Sequence, residues 1–154
     1  MKVRKMAGHL IRRLNQISAH VFATHMQQTG LDLTPVQFAA MDAIATYPGI
    51  DQAGVAAKIV YDRATIGGVI DRLEQKGYVT RNVCKHDRRA REVRLTEKGG
   101  GVFNEILPVV TALQEEILEG LNPAEQVTFL ELASKAISNE PDAAWPGNAK
   151  SGET

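Results

Sequence analysis

The sequence predicts a mainly α-helical fold of six helices carrying one small β wing, a winged helix-turn-helix, and three observations predict it. Ile66, Val69, Ile70 and Leu73 recur at the i, i+3, i+4, i+7 spacing of a helix with one buried side, while Ala64, Gly67, Gly68, Asp71 and Gln75 leave its other side with very little bulk. Gly77 follows as a C-terminal glycine does, and two strand-like runs, 78–84 and 92–95, then flank a loop. That loop, 85–91, holds four Lys and Arg in seven positions, a concentration that folding alone does not require.

Charge supports the same reading. The 154 residues sum to zero, but residues 61–98 carry ten Lys and Arg against six Asp and Glu, and the remainder eight against twelve. A basic element of +4 thus sits on an acidic body of −4, which orients the protein toward a polyanion such as duplex DNA before any base is touched. A hydrophobic content of 44% suffices for one core, and an aromatic content of 5% suits helices packed on aliphatic side chains. A single cysteine excludes an internal disulfide. The basic start has no continuous apolar run or small-residue cleavage site, and no segment approaches ~20 apolar residues, so a soluble, cytoplasmic protein with no membrane partner is expected.

Each element follows from local chemistry. Residues 8–28 form a first helix, with Leu10, Ile11, Leu14, Ile17, Val21 and Phe22 on one face that something must cover. Thr34, Pro35 and Gln37 supply an N-cap, a first-turn proline and a capping-box acceptor for a second helix ending near Thr46. After the turn Tyr47-Pro48-Gly49, Ile50 offers one strand position and Asp51 caps a third helix, 52–58. Asp62 is expected to cap the fourth, the reading helix of the helix-turn-helix. Beyond the wing, Thr96 caps a fifth helix running to about Glu119; Gly99, Gly100 and Gly101 predict a frayed or kinked first turn, and Pro108 is a candidate bend. Asn122-Pro123-Ala124-Glu125 starts a sixth helix ending near Ser138. The polar, proline-containing remainder is expected to be a flexible tail.

The runs LTPVQFAAMDAI and DRATIGGVIDRLEQKGYVTR, the DRRA of Asp87 to Ala90 and the VRLTEKG that follows together resemble the MarR family of bacterial transcription regulators over roughly residues 10–138. Weaker similarities, HLIRRLNQ and the PGIDQ turn, resemble the branch controlling aromatic-acid catabolism. The resemblance implies an obligate homodimer in which the first, fifth and sixth helices of both chains interleave. Within one structural domain, residues 1–32 and 99–139 are then dimerisation segments, 33–98 the DNA-binding region and 140–154 the tail.

Where the family places polar or basic side chains, this chain has Gly67 and Gly68, which allow close backbone approach to a groove but remove base-edge hydrogen bonds. Direct readout then falls mainly to Arg63, Ala64 and Thr65. Arg72 is either a phosphate clamp or a partner of the neighbouring Asp71 or Glu74. In the wing the resemblance assigns Asp87 to orient and Arg89 to enter the minor groove. A carboxylate bonded to a guanidinium would preset its direction, and a narrow A·T-rich groove concentrates negative potential around arginine. Lys85, His86, Arg88 and Arg91 are phosphate contacts or simply solvated.

On the first helix His9, Arg13, Gln16 and His20 lie within about 60° of one another, a polar stripe beside the apolar face. It is either a solvated flank or a ligand site. In the resembled family ligands lie between the first, second and fifth helices, and Phe38 or Met41 of the second would cover an aromatic ring there. The implied effector is a small aromatic acid or its coenzyme A thioester. Cys84 lacks a resolving partner, the four histidines lack metal-ligand spacing, and no nucleophile elbow, phosphate loop or carboxylate pair supports an enzyme, so no cofactor or metal is expected. The leading expectation is a repressor that binds a palindromic double-stranded operator as a dimer and is released by ligand. The alternatives are a DNA-binding regulator without small-molecule input and a winged-helix protein-interaction module.

Overall fold

The computed structural model describes residues 1–138, and the expected tail, 140–154, lies outside them. A 3-10 turn, Lys2–Lys5, precedes α1 (Ala7–Thr29), α2 (Pro35–Thr46), α3 (Gln52–Lys58), α4 (Ile66–Gln75), strands β1 (Val79–Val83) and β2 (Arg91–Leu95), α5 (Glu97–Ile117) and α6 (Pro123–Ser138).

Four helices begin at the predicted caps. The Thr34 hydroxyl accepts from the Gln37 N–H at 3.2 Å while the Gln37 amide oxygen accepts from the Thr34 N–H, a reciprocal box. Asp51 accepts from the Gly54 N–H at 2.7 Å, Thr96 from the Gly99 N–H at 2.9 Å and Asn122 from the Glu125 N–H at 2.9 Å. Each such bond satisfies an otherwise orphaned donor and contributes about 1 kcal/mol. At the end of α4, Gly77 takes φ +76°; its N–H reaches the Glu74 carbonyl and the Tyr78 N–H reaches that of Leu73, the paired bonds of a Schellman close.

Two local expectations are corrected. Asp62 closes the turn before α4 rather than capping the helix: its carboxylate accepts from the Ala64 N–H and its carbonyl from those of Thr65 and Ile66. The Thr65 hydroxyl donates to the same carbonyl and makes no cap bond, and regular helix starts at Ile66. The first turn of α5 is continuous helix, not frayed, because Gly99 is packed rather than free. A β-carbon there would lie 1.9 Å from the Tyr78 carbonyl oxygen. The helix also runs on through Pro108.

β1 and β2 form an antiparallel hairpin with Val79 opposite Leu95 and Val83 opposite Arg91. The Val93 N–H donates to the Ile50 carbonyl at 3.0 Å, but the single bridge position falls one residue later than expected, on Asp51 opposite Glu92. One buried cluster joins Phe22 and Met26 of α1, Met41 and Ile44 of α2, Val55 of α3, Ile70 and Leu73 of α4, Val79 and Val93 of the hairpin, and Ile106 and Leu113 of α5. Burial fails at both ends of the chain order. Leu10 and Ile11 of α1 are 49% and 65% exposed, and α6 buries no residue, with Leu132 62% and Ile137 72% exposed. Among the described residues no helix is long and apolar enough to cross a membrane.

Candidate nucleic-acid interface

α4 turns Ile66, Val69, Ile70 and Leu73 into the core and leaves Gly68, Asp71 and Arg72 exposed, with Gly67 half-buried. Arg63, Ala64 and Thr65 are exposed in the turn leading into it. Nothing lies within 4 Å of where a Gly68 β-carbon would stand, so the middle of this face is bare backbone open to close approach.

Long-range bonds fix the pose of α4. The Arg81 guanidinium on β1 reaches Asp71 at 2.5 Å, Glu74 at 3.2 Å and the Gln52 amide oxygen at 3.4 Å, tying α4, the wing and α3 together. The hydrogen bond it donates to Glu74, and then that to Asp71, holds this guanidinium above its ordinary pKa against the opposing effect of burial. At the C-cap of α4, Lys76 donates to the Asp32 carbonyl and, at 3.1 Å, to the Gln37 amide oxygen. The Thr96 hydroxyl donates to the Gly77 carbonyl at 2.6 Å while capping α5, which gives the LTEKG run its structural role.

Sequence reasoning missed Arg81. Its one signal was an arginine on a strand between residues of alternating burial, and no local rule assigns such a residue a partner. With Asp71 and Glu74 held by Arg81, Arg72 has no acidic partner among the described residues. It lines a shallow groove of about 290 Å³ with Thr34, Gln37, Thr65 and Gly68.

In the wing, Asp87 accepts from the backbone N–H of Arg89 at 2.9 Å, Ala90 donates to the Asp87 carbonyl and Cys84 to the Ala90 carbonyl. The carboxylate therefore braces the loop backbone and not the Arg89 guanidinium, a correction that follows from reach: two residues apart in a turn, the N–H is nearer than the end of the arginine side chain. Lys85, His86, Arg88, Arg89 and Arg91 are all exposed, without acidic partners within 4 Å among the described residues. Five cationic or cationisable side chains thus project from one braced loop.

The α1 stripe is split. Arg13, Gln16 and His20 line an open, largely apolar cleft of about 920 Å³ with Leu14, Ile17 and Phe129, between α1 and the segment joining α5 to α6. The Arg13 guanidinium donates to the Gln16 amide oxygen at 3.0 Å. His9 lies off this cleft and contacts Arg12. Phe38 and Met41 are not brought to the stripe: Met41 is fully buried, and Phe38 stacks on Phe103 with centroids 5.5 Å apart. Their face of α2 is consumed by the core shared with α5. Among the described residues no group of His, Cys, Asp and Glu is arranged to hold a metal.

The MarR family model matches residues 31–90, the second helix through the wing loop. Across 138 residues the chain is 34% identical to the transcriptional regulator HosA of Escherichia coli O127:H6, covering 90% of this chain and 99% of HosA. It is 31% identical to the transcriptional repressor NicR of Pseudomonas putida, covering 92% and 88%. Its fold superposes with a TM-score of 0.80 on BpsR of Bordetella bronchiseptica, whose DNA binding is regulated by 6-hydroxynicotinic acid, at 29% identity over 89% of this chain and 96% of that one. A reading helix braced to a cationic wing, joined through capped helices to the flanking α1 and α5, thus has relatives along nearly its whole length, and the chain belongs to the MarR family of winged helix-turn-helix DNA-binding transcription regulators.

Proposed function

We propose that the chain is a homodimeric repressor that binds an inverted-repeat operator in the bacterial cytoplasm and is released by a small aromatic or heteroaromatic acid, or by its coenzyme A thioester. Dimerisation is supported by the exposed Leu10, Ile11, Leu132 and Ile137, since each such side chain contributes roughly 1.5–3 kcal/mol when fully buried. In the dimer two α4 helices read half-sites about one helical turn, ~10 base pairs, apart. Arg63, Ala64, Thr65, Gly67 and Gly68 meet the major groove, Arg89 the minor groove, and Arg72, Lys85, His86, Arg88 and Arg91 the phosphates.

The observation that carries the effector reading is the cleft where Arg13, Gln16 and His20 stand at the edge of apolar Leu14, Ile17 and Phe129. A guanidinium holds a carboxylate bidentately, an imidazole or amide bonds a ring hydroxyl, and the apolar lining takes the ring. BpsR, regulated by 6-hydroxynicotinic acid, supplies the chemical class by similarity. An effector that prefers the non-binding dimer geometry ~100-fold supplies about 2.7 kcal/mol of coupling, which takes an operator from roughly 90% to roughly 10% occupied.

The test is fluorescence anisotropy of the protein on duplexes from the region upstream of its own gene, titrated with 6-hydroxynicotinate, hydroxybenzoates and their coenzyme A thioesters. Release by one member at micromolar concentration is expected. Tight, salt-sensitive binding that no member reverses would favour a regulator without small-molecule input. Failure to bind DNA at low salt would favour a protein-interaction module.

A further inference from the structure

The glycine pair removes side chains from the centre of the reading helix, and a neighbouring helix fills one of the gaps. The Gln52 side chain, from the first residue of α3, lies over Gly67: its Nε2 is 3.4 Å from where a Gly67 β-carbon would stand. Its Oε1 accepts from the Arg81 guanidinium at 3.4 Å. That contact settles the orientation of the amide, because a guanidinium has only donors to offer and must face oxygen. The NH2 group has no acceptor among the described residues. Arg81 is itself anchored by Asp71 and Glu74, which follow Gly67 along the same side of α4.

We propose that Gln52 is a specificity-determining residue for DNA, supplying through the window left by Gly67 the base-edge hydrogen bond that the reading helix cannot make. Because Arg81 occupies its oxygen, Gln52 reads as a donor alone. It cannot grip adenine with both ends of its amide, as a free glutamine does, and selects a major-groove acceptor, guanine O6 or N7, adenine N7 or thymine O4, while rejecting the amino groups of cytosine and adenine. Arg81 is the positioning residue for this contact.

The test compares Gln52→Ala and Gln52→Glu with the parent chain on the operator, on single-base operator variants and on a random duplex. A single hydrogen bond predicts a loss on the order of tenfold on the operator for Gln52→Ala, with affinity for random duplex unchanged and preference flattened at one base pair per half-site. Gln52→Glu keeps an acceptor for Arg81, and so keeps the fold, but has no donor. It is expected to unfold at the parent temperature and to lose preference at the same base pair as Gln52→Ala, beyond the loss on every duplex that its added negative charge brings. Gly67→Leu, which places bulk in the window, is expected to reproduce the loss of base preference. Equal losses of Gln52→Ala on operator and random duplex would make Gln52 a phosphate contact or a structural residue and overturn the proposal, as would a Gln52→Glu variant that keeps the parent's preference at every base pair.

Discussion

The Tyr78 carbonyl and Gly99 are in backbone contact: 1.9 Å would separate that oxygen from a β-carbon at position 99, and the neighbouring Thr96 N–H bonds the same carbonyl at 3.0 Å. The start of α5 is thereby seated on the joint between reading helix and wing. Gly99→Ala is expected to destabilise the protein by about 1–3 kcal/mol, because the clash is with backbone that cannot rotate away. Gly100→Ala, with nothing within 4 Å, should stabilise it by roughly 0.5–1 kcal/mol through helix propensity. Urea unfolding of the two variants checks the pair, and equal effects would show that the close approach carries no weight.

Val60 closes α3 in the left-handed region at φ +51°, where a β-branched side chain is strained, and it is 63% exposed. Its N–H reaches the Ala57 carbonyl and the Tyr61 N–H that of Ala56, the bonding of a glycine-closed helix without the glycine. Val60→Gly relieves about 1–2 kcal/mol of backbone strain against a smaller entropic cost in the unfolded chain, and a net gain near 1 kcal/mol is expected in thermal or urea unfolding.

Arg81 neutralises two carboxylates on the side of α4 that carries the bare glycine face. Arg81→Met should lower affinity for every duplex by roughly tenfold at low salt, through the field of the uncovered Asp71 and Glu74. Adding Asp71→Asn and Glu74→Gln should restore the affinity for random duplex but not the preference for the operator, because Gln52 and α4 remain unbraced. Anisotropy across a salt series separates the two effects.

Arg89→Ala is expected to weaken operator binding by tenfold or more if the wing enters a narrow minor groove. Asp87 offers a sharper check on how the wing is held. Asparagine retains an oxygen for the Arg89 N–H, so Asp87→Asn should bind DNA nearly as the parent does, whereas Asp87→Ala should lose affinity as the loop opens. A full loss in Asp87→Asn would mean that the negative charge itself is required.

Arg13→Ala should leave operator affinity nearly unchanged and abolish release by an aromatic acid, since Arg13 is the cation on the α1 cleft. His9→Ala, at a residue off that cleft, should respond to the acid at the parent concentration. Anisotropy titrations of both variants decide whether the cleft is the effector site. Release from Arg13→Ala at unchanged concentration would move the site elsewhere.

By itself the sequence determined the elements and the reading head. Thr34 with Gln37, Asp51, Thr96 and Asn122 with Glu125 each close a bond three residues away, inside a single turn, so identity and spacing suffice to place them. The apolar spacing from Ile66 to Leu73 likewise marked which side of α4 is buried. Only the tertiary structure decided what depends on the angle between elements. Arg81 finds Asp71 ten residues back and Gln52 twenty-nine back, and Lys76 finds Gln37 across thirty-nine. It also decided that Met41 belongs to the core while Arg13 stands on a cleft, and that Gly99 is required where Gly100 has open space around it. Bonds within one helical turn follow from covalent geometry, whereas contacts between elements depend on how whole faces pack, a cooperative outcome that no single residue encodes.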